Sequence, residues 1–257
     1  MKTVLVSGGF DDIRARDIRF LQEAARLGPV TVRLKSDAVL GAPKFSFGER
    51  AYILKALRFV AAVEEDILPV QNGPDGVVVA RETEASTMSE AQARGLSMAY
   101  QVIAESALDG FPLPRDEAKP GAKKVAVSGC YDWLHSGHVR FFEEAAGYGD
   151  LHVFLGSDAT IEELKGPGHP QFCGEERRYV VGSIRHVASA RISRGNGMLD
   201  FAEDVQALKP DFFIVNEDGH KPAKAEFCHD LGIEYVVLKR TPAEGLPVRS
   251  STALRGF

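Results

Sequence analysis

The sequence predicts an α/β protein of two tandem domains, each a doubly wound parallel sheet with helices on both faces, and three observations carry that prediction. The first is an internal repeat: residues 2–38 match residues 123–159 without a gap at an offset of 121, with 17 identities in 37 positions. Average amino-acid usage would give unrelated segments about two. The second is an alternation of short, β-branched apolar runs with amphipathic stretches, the pattern of parallel strands joined by crossover helices. The third is SALDGFPLPRDEAKPGAKK (106–124), rich in Pro, Gly and charge and without an apolar period, which reads as a linker. Domains at 1–112 and 123–257 with a linker at 113–122 follow.

The elements come in the same order in both copies. VLVSG and VTVRLKSD flank the amphipathic IRFLQEAARLG in the first. In the second, KKVAVSG, LHVFLGSD, DFFIVN and EYVVLK read as buried strands, and VRFFEEAAGYG, EERRYVVGSIRHV and LDFAEDVQALK as helices. The repeat resumes with FSFGERAYILKALRFV (45–60) facing FCGEERRYVVGSIRHV (172–187), and PDGVVVA from Pro74 facing PDFFIVN from Pro210. Sheets of this kind bind ligands outside the carboxyl ends of their strands, where the strand order reverses.

Composition narrows the function. Hydrophobic residues at 44% and charged residues at 26% are ordinary for a globular protein, excluding a disordered or fibrous chain. A net charge of -5 disfavours a nucleic-acid partner and leaves small anionic substrates open. Cys130, Cys173 and Cys228 are isolated and lack metal-ligand spacing, so they read as free thiols and no resident metal site is expected. The chain runs from Met1 straight into a strand, and no segment could span a bilayer, so a cytoplasmic protein with no membrane partner is expected. Neither strand-to-helix turn carries Gly-x-Gly-x-x-Gly, which argues against a dehydrogenase.

The chemistry concentrates in SGCYDWLHSGHVRFF, where the first strand of the second copy turns into a helix. That turn holds His135 and His138. A helix N-terminus presents unpaired N–H groups and partial positive charge, and two histidines three residues apart share its face, so both can donate to phosphate oxygens as charge develops. Ser128, Gly129 and Cys130 at the strand end are small enough to let a nucleotide approach the backbone, with plain strand-end packing as the competing reading for Cys130.

GCYDWLHSGHVRFFEEAAGYGD resembles the signature segment of the cytidylyltransferase family, within a superfamily that shares a His-x-Gly-His turn and a Rossmann-like nucleotidyltransferase fold. The resemblance extends over the second copy. It implies nucleotide contacts from Ser128, Gly129, Cys130, Tyr131 and Asp132, and catalytic roles for His135 and His138. ELKGPGHPQFCGEERRYVVGSIRHV resembles the family segment in which a loop lysine precedes a helix opening with Glu-Arg, so Lys165 is implied as a catalytic point charge over the triphosphate and Arg177 as a phosphate ligand, with Arg185 a looser match. FFIVNEDGHK is similar to a strand ending in Gly-Asp-Asp: Asp218 keeps the second acidic position, while Asn216 and Glu217 depart from it. LKRTPAEGLPVRSSTALR resembles an Arg-Thr-x-Gly-Ile-Ser-Thr-Thr ending, with Arg240 and Thr241 at its head, Ser250, Ser251 and Thr252 at its tail, and extra residues between. Hydroxyls capping a helix suit the β- and γ-phosphates. The resemblance implies transfer of a nucleotidyl group from CTP, or alternatively ATP, to a phosphorylated small molecule with Mg²⁺ as cofactor. A non-catalytic nucleotide-binding regulator is the other class that these departures leave open.

The first copy keeps the scaffold but not the turn. Arg14 stands opposite His135, Asp17 opposite His138 and Arg16 opposite Gly137, so this half reads as degenerate; it is structural or binds a different ligand. Lys44, Arg50 and Arg58 occupy positions resembling Lys165, Arg177 and Arg185. Two-domain ethanolamine-phosphate cytidylyltransferases are similar in pairing an intact with a degenerate copy, though in the opposite order. A pseudo-dimer within the chain is expected, with a homodimer as a further possibility.

Overall fold

The computed structural model describes residues 3–67, 76–113 and 116–254. The chain divides into two compact units, Met1–Phe111 and Pro112–Phe257. In the first, β1 (Thr3–Gly8), α1 (Ala15–Ala25), β2 (Val30–Leu34), α2 (Asp37–Leu40), α3 (Phe47–Ala56), β3 (Val60–Glu65), β4 (Gly76–Arg81), α4 (Thr87–Gly95) and β5 (Ala99–Ile103) follow one another, with 3₁₀ turns at Glu82–Glu84 and Glu105–Leu108. The second repeats the plan with β6 (Lys124–Gly129), α5 (Ser136–Ala146), β7 (Asp150–Leu155), α6 (Asp158–Lys165), α7 (Gly174–Gly182), β8 (Val187–Ile192), α8 (Ala202–Leu208), β9 (Phe212–Asn216), α9 (Pro222–Asp230), β10 (Glu234–Leu238) and the short α10 (Ser251–Leu254). Each unit is a parallel five-stranded sheet, ordered β3-β2-β1-β4-β5 and β8-β7-β6-β9-β10.

The repeat is visible in the packing. Val125, Ala126 and Val127 of β6 are wholly buried, as a central parallel strand covered on both faces must be. Val139, Phe142 and Ala145 on α5, and their counterparts Ile18, Leu21 and Ala24 on α1, form the buried stripe of each first helix. A register shift at Leu151/His152 in the β7–β8 ladder recurs at Val30/Thr31 in the β2–β3 ladder. In both units the strand order reverses beside the first strand, where pairing is short: β6 and β9 pair only at Val125–Phe212 and Ala126–Phe213. Beyond Ala126 the two strands run on to Gly129 and Asn216 without that ladder, opening a crevice at their carboxyl ends.

Several sequence expectations are corrected. The helix read over EERRYVVGSIRHV stops at Gly182, and Val187–Ile192 is strand β8, whose small residues VASARI lack an apolar run. LDFAEDVQALK narrows to α8 after a 3₁₀ turn at Gly197–Leu199. Lys165 lies in the last turn of α6 and not in a loop. Much of the expected linker is tied to the second unit: Glu117 N–H donates to the Ala188 carbonyl at 2.9 Å, Lys119 N–H to the Asp150 carboxylate, and Arg191 pairs with Asp116 at 3.1 Å. Residues 114 and 115 of that segment, and Pro74 of the repeat, lie outside the described residues.

A buried arginine staples each unit. Arg177 is 1% exposed, and its guanidinium donates to the carbonyls of Phe172 (3.0 Å), Cys130 (2.7 Å) and Gly156 (2.8 Å) and to the Asp158 carboxylate (2.7 Å). Arg50 makes the corresponding set with Phe45 (3.1 Å), Gly9 (2.5 Å), Lys35 (3.0 Å) and Asp37 (2.6 Å). These carbonyls sit where the first two strands of a sheet end, and a planar fork of donors satisfies them together. Arg177→Lys cannot reproduce the fork and leaves buried acceptors unmatched. It is expected to lower the stability of the second unit by about 1–3 kcal/mol for each buried carbonyl left without a donor, read as a fall in the urea midpoint. A variant that unfolds like the wild type but has lost nucleotide affinity would instead make Arg177 a ligand.

Candidate active site

The crevice between β6 and β9 deepens into a cleft of about 390 Å³, lined among others by Ser128, Gly129, Cys130, Tyr131, Asp132, His135, His138, Lys165, Asp218, Arg240 and Ser251. Its floor is the end of β6 and the turn into α5. Tyr131 has φ 49°, and this left-handed turn folds its ring back over Gly129, where a Cβ would lie 2.8 Å from the ring. The glycine therefore makes room for Tyr131 as well as bordering the cleft. Phe10, with φ 47°, covers Gly8 in the same way in the first unit.

His135 is the N-cap of α5, and its Nδ1 accepts from Gly137 N–H at 3.1 Å. That bond leaves the imidazole proton on Nε2. The ring of His138, one turn on, stacks on His135 with centroids 3.8 Å apart, and Tyr131 braces it edge-on at 5.3 Å. His138 meets the cleft along one edge and is otherwise enclosed. Burial, followed by the neighbouring His135, Arg240 and Lys165, holds its pKa well below the ordinary histidine value. The pair is thus built as neutral donors at the positive end of a helix.

Lys165 closes α6 beside Cys130, whose thiol is pushed up by burial against the opposing pull of Lys165 and Arg177. From the other wall, Arg240 pairs with Asp218, and its Nη2 donates to the Arg249 carbonyl at 2.6 Å. Arg240 N–H donates to Glu217 Oε1 at 3.1 Å. These bonds draw the C-terminal segment over the start of α5. The Arg249 carbonyl lies 3.5 Å from where a Cβ on Gly137 would be, and that Cβ would sit 3.0 Å from His135 Nδ1, so the glycine admits both the segment and the histidine. Ser250 accepts from Leu254 N–H through its carbonyl at 3.2 Å and heads α10; Ser251 reaches the cleft. The side chain of Thr252 lies outside the described residues.

Three implied ligands are placed differently. Arg177 is spent on the staple. Asp132 borders the cleft, but its carboxylate accepts from Gln171 N–H at 2.9 and 3.0 Å and from Phe172 N–H at 3.0 Å, so it anchors the loop before α7; Asp11 holds Lys44 and Phe45 in the same way. Arg185 is exposed beyond α7 and does not line the cleft. The sequence reading passed over Lys224. It reaches from α9 to place its Nζ 3.3 Å from Ser128 Oγ, a tertiary contact with no local pattern.

The first unit differs at each of these points. Lys44 matches Gln171, not Lys165, because both donate backbone N–H to the anchoring aspartate. The helix of the first unit ends at Leu40, the counterpart of Ile161, whose methyl would lie 2.9 Å from a Cβ on Gly9, so it stops a turn short of the Lys165 position. Asp17, at the His138 position, accepts from Arg81 at 2.8 Å, and Glu105 pairs with Arg81 at 3.3 Å and Arg16 at 2.8 Å. The hydrogen bond from Arg16, helped by those from Arg81 and Thr83, holds Glu105 at about 2. An ion network occupies the strand-reversal point where the second unit has a cleft.

The low pKa of His138 has a consequence for stability. Folding favours its neutral form, so its contribution is complete above the unfolded value near 6.5 and is lost as pH falls through the folded value; His152 and His186 are shifted in the same direction by burial. Asp200, raised to about 6, acts oppositely and favours folding as pH falls. His138→Gln, uncharged throughout, is expected to shrink the loss of melting temperature between about pH 7.5 and about 5.5 relative to wild type. An unchanged pH dependence would mean that His138 titrates normally in the fold.

Residues 126–256, just over half of the chain, match the model of the family described as cytidylyltransferase-like. The chain is 30% identical over 171 residues to the bifunctional protein HldE of Gluconobacter oxydans, covering 62% of this chain and 35% of that one. It is 34% identical over 164 residues to the HldE of Geobacter metallireducens, covering 60% and 31%. The chain thus spans about a third of the length of these relatives. Among solved structures, a lipopolysaccharide core biosynthesis protein from Thermoplasma volcanium aligns over 47% of this chain and 99% of that one, with 23% identity and a TM-score of 0.41. No helix among the described residues is long and apolar enough to cross a membrane. With its family model lying over the histidine turn, the cleft and the C-terminal segment, the chain belongs to the cytidylyltransferase-like family.

Proposed function

We propose that the second unit transfers a nucleotidyl group from a nucleoside triphosphate to a small phosphorylated alcohol or sugar phosphate and releases pyrophosphate. The observation that carries the reading is the His135–His138 stack at the N-terminus of α5, facing a cleft shared with Lys165 and Arg240. CTP is the favoured nucleotide because of the family, and ATP is the alternative. An oxygen of the acceptor phosphate attacks the α-phosphorus in line. The new P–O bond forms as the bond from the α-phosphorus to the bridging oxygen breaks, and pyrophosphate leaves with that electron pair. The attacking oxygen is already anionic, so no general base and no covalent enzyme intermediate is required.

His135 and His138 donate to the oxygens that gain charge in the transition state, Lys165 faces the α-phosphate and the acceptor phosphate, and the segment around Ser250 and Ser251 holds the leaving group. Mg²⁺ would come to this site as a nucleotide-borne ion, held by the phosphates themselves. Among the described residues no cluster of three His, Cys, Asp or Glu side chains could hold a metal, and Asp218 is paired with Arg240. When bound, Mg²⁺ supplies charge neutralisation on the phosphates. The first unit is read as non-catalytic because its network of Asp17, Arg81, Glu105 and Arg16 stands where the histidines and their cleft would be.

The test is product formation, detected by mass, from each of four nucleotides with a panel of phosphorylated alcohols and sugars. His138→Ala is expected to lower turnover roughly a hundred- to thousandfold, the loss associated with one oriented donor to developing charge, while Asp17→Asn leaves turnover unchanged. Near-normal turnover in His138→Ala would sink the mechanism. Intact nucleotide binding without product from any pair would favour a regulatory protein. Lys165→Met is expected to depress kcat more than it raises the nucleotide KM, since its main contact forms in the transition state. A raised KM with unchanged kcat would make it a ground-state clamp.

A further inference from the structure

The segment that leads into β6 crosses a buried histidine. His152 on β7 and Ser189 on β8 are register partners and so share one face of the sheet, with Asp150 two residues before the histidine and Arg191 two after the serine. Residues 116–119 are tied to that face on either side of the pair. Asp116 takes Arg191 at 3.1 Å, Lys119 N–H donates to the Asp150 carboxylate, and between them Glu117 N–H donates to the Ala188 carbonyl at 2.9 Å. This strap is exposed, whereas His152 is 4% and Ser189 7% exposed. The histidine is only half satisfied. Its Nδ1 shares a hydrogen bond of 2.7 Å with Ser189 Oγ, while Nε2 is enclosed with no hydrogen-bond partner among the described residues. The charged groups that face the ring come from four elements: Asp116 on the strap, Arg191 on β8, Asp150 on β7 and Lys124 on β6. Burial holds His152 below the ordinary histidine value; Asp116 and Asp150 pull it up, and Arg191 and Lys124 push it down.

An imidazolium donates from both nitrogens. Ser189 can accept from one, but the other N–H then has no acceptor in place, because both nearby carboxylates serve the strap. Asp116 holds Arg191 and accepts from Ala118 N–H at 3.1 Å, and Asp150 holds Lys119 N–H. Only water, or one of these carboxylates turned inward, can satisfy the charged ring, and either way a tie is lost. β7 and β8 are locked into the sheet by their ladder, so the exposed strap is the part that yields. We propose that the strap is a proton-sensitive latch: protonation of His152 releases residues 116–119 from β7 and β8 and lengthens the free segment ahead of β6. The strapped form prefers the neutral ring, so the latch is fully engaged above the ordinary histidine value of about 6.5 and opens as pH falls below it. None of these residues lines the cleft, and the latch stands independently of the nucleotidyltransferase reading.

The test follows amide hydrogen exchange at Glu117 and Lys119 in the full chain between about pH 7.5 and about pH 5, corrected for the intrinsic pH dependence of exchange. An NMR titration of the histidine rings runs on the same samples. In the wild type, protection of both amides should fall by up to about tenfold per pH unit once His152 titrates, since opening is linked to one proton. Val125 and Val127 in β6 should keep their protection over the same range. His152→Gln can still bond Ser189 but takes no charge, so its strap protection should be independent of pH. Glu117→Pro removes one tie from an exposed position and leaves the core untouched. Because the coupling is reciprocal, loosening the strap in this way should move the His152 ring midpoint up toward the ordinary value. Strap protection that holds down to pH 5 in the wild type, a pH response that survives in His152→Gln, or a His152 midpoint unmoved by Glu117→Pro would overturn the latch. So would a loss of protection that Val125 and Val127 share, which would report unfolding of the whole unit.

Discussion

Each sheet is tied together at the carboxyl ends of its strands by one guanidinium. Arg177 gathers carbonyls from the turn after β6, the end of β7 and the loop before α7, together with the Asp158 carboxylate at the start of α6. Without those bonds the strand ends would carry buried acceptors with no partners, at a point where the chain leaves regular structure. The staple therefore sets where the loops can go. It fixes Cys130 at the cleft floor, aims α6 so that Lys165 closes beside it, and works with Asp132 to hold the loop that leads into α7. An arginine that looks like a phosphate ligand in sequence thus acts one layer back, by making the geometry in which other cations meet the cleft.

The two units show what this framework does and does not determine. Arg50, Asp11, Phe10 and Gly8 reproduce the staple, the loop anchor and the ring over glycine almost atom for atom. The framework alone therefore does not make a cleft. What differs is small and local: a helix that ends at Leu40, a turn before the Lys165 position, and Asp17 for His138. Asp17 at a helix N-terminus is electrostatically comfortable, and its pairing with Arg81 extends through Glu105 to Arg16. Carboxylates and guanidiniums there satisfy one another, which removes the uncompensated positive field that a phosphate would seek.

Much of this was legible in the sequence, for physical reasons that also explain what was not. The strands next to the centre are buried on both faces and so are written as unbroken apolar runs, and the histidine turn is local, with spacing and helix start carried by one short segment. Strand β8 was missed because it pairs only with β7 and needs no continuous apolar run, which let VASARI be absorbed into the preceding helix. Lys44 was aligned to Lys165 because sequence order near a length change says nothing about which backbone N–H meets the anchoring aspartate. Lys224 and Asp200 are separated along the chain and meet only through the fold, so neither has a local signature. Residue type alone also cannot say whether a buried arginine serves backbone or ligand.

The histidine pair draws these threads together. Two imidazoles 3.8 Å apart cannot both carry charge cheaply, and a helix N-terminus, Lys165 and Arg240 add positive potential around them. Burial first, and then the positive groups around the cleft, thus keep His138 neutral. A neutral imidazole costs less to bury than an imidazolium and still donates one oriented N–H. In the proposed reaction an anion beside the pair would favour proton binding by each histidine as charge accumulates on the oxygen it faces. On that proposal the donor would strengthen with the charge it stabilises, so the interaction would be greater in the transition state than in the ground state, the condition for accelerating a reaction rather than merely binding its substrate.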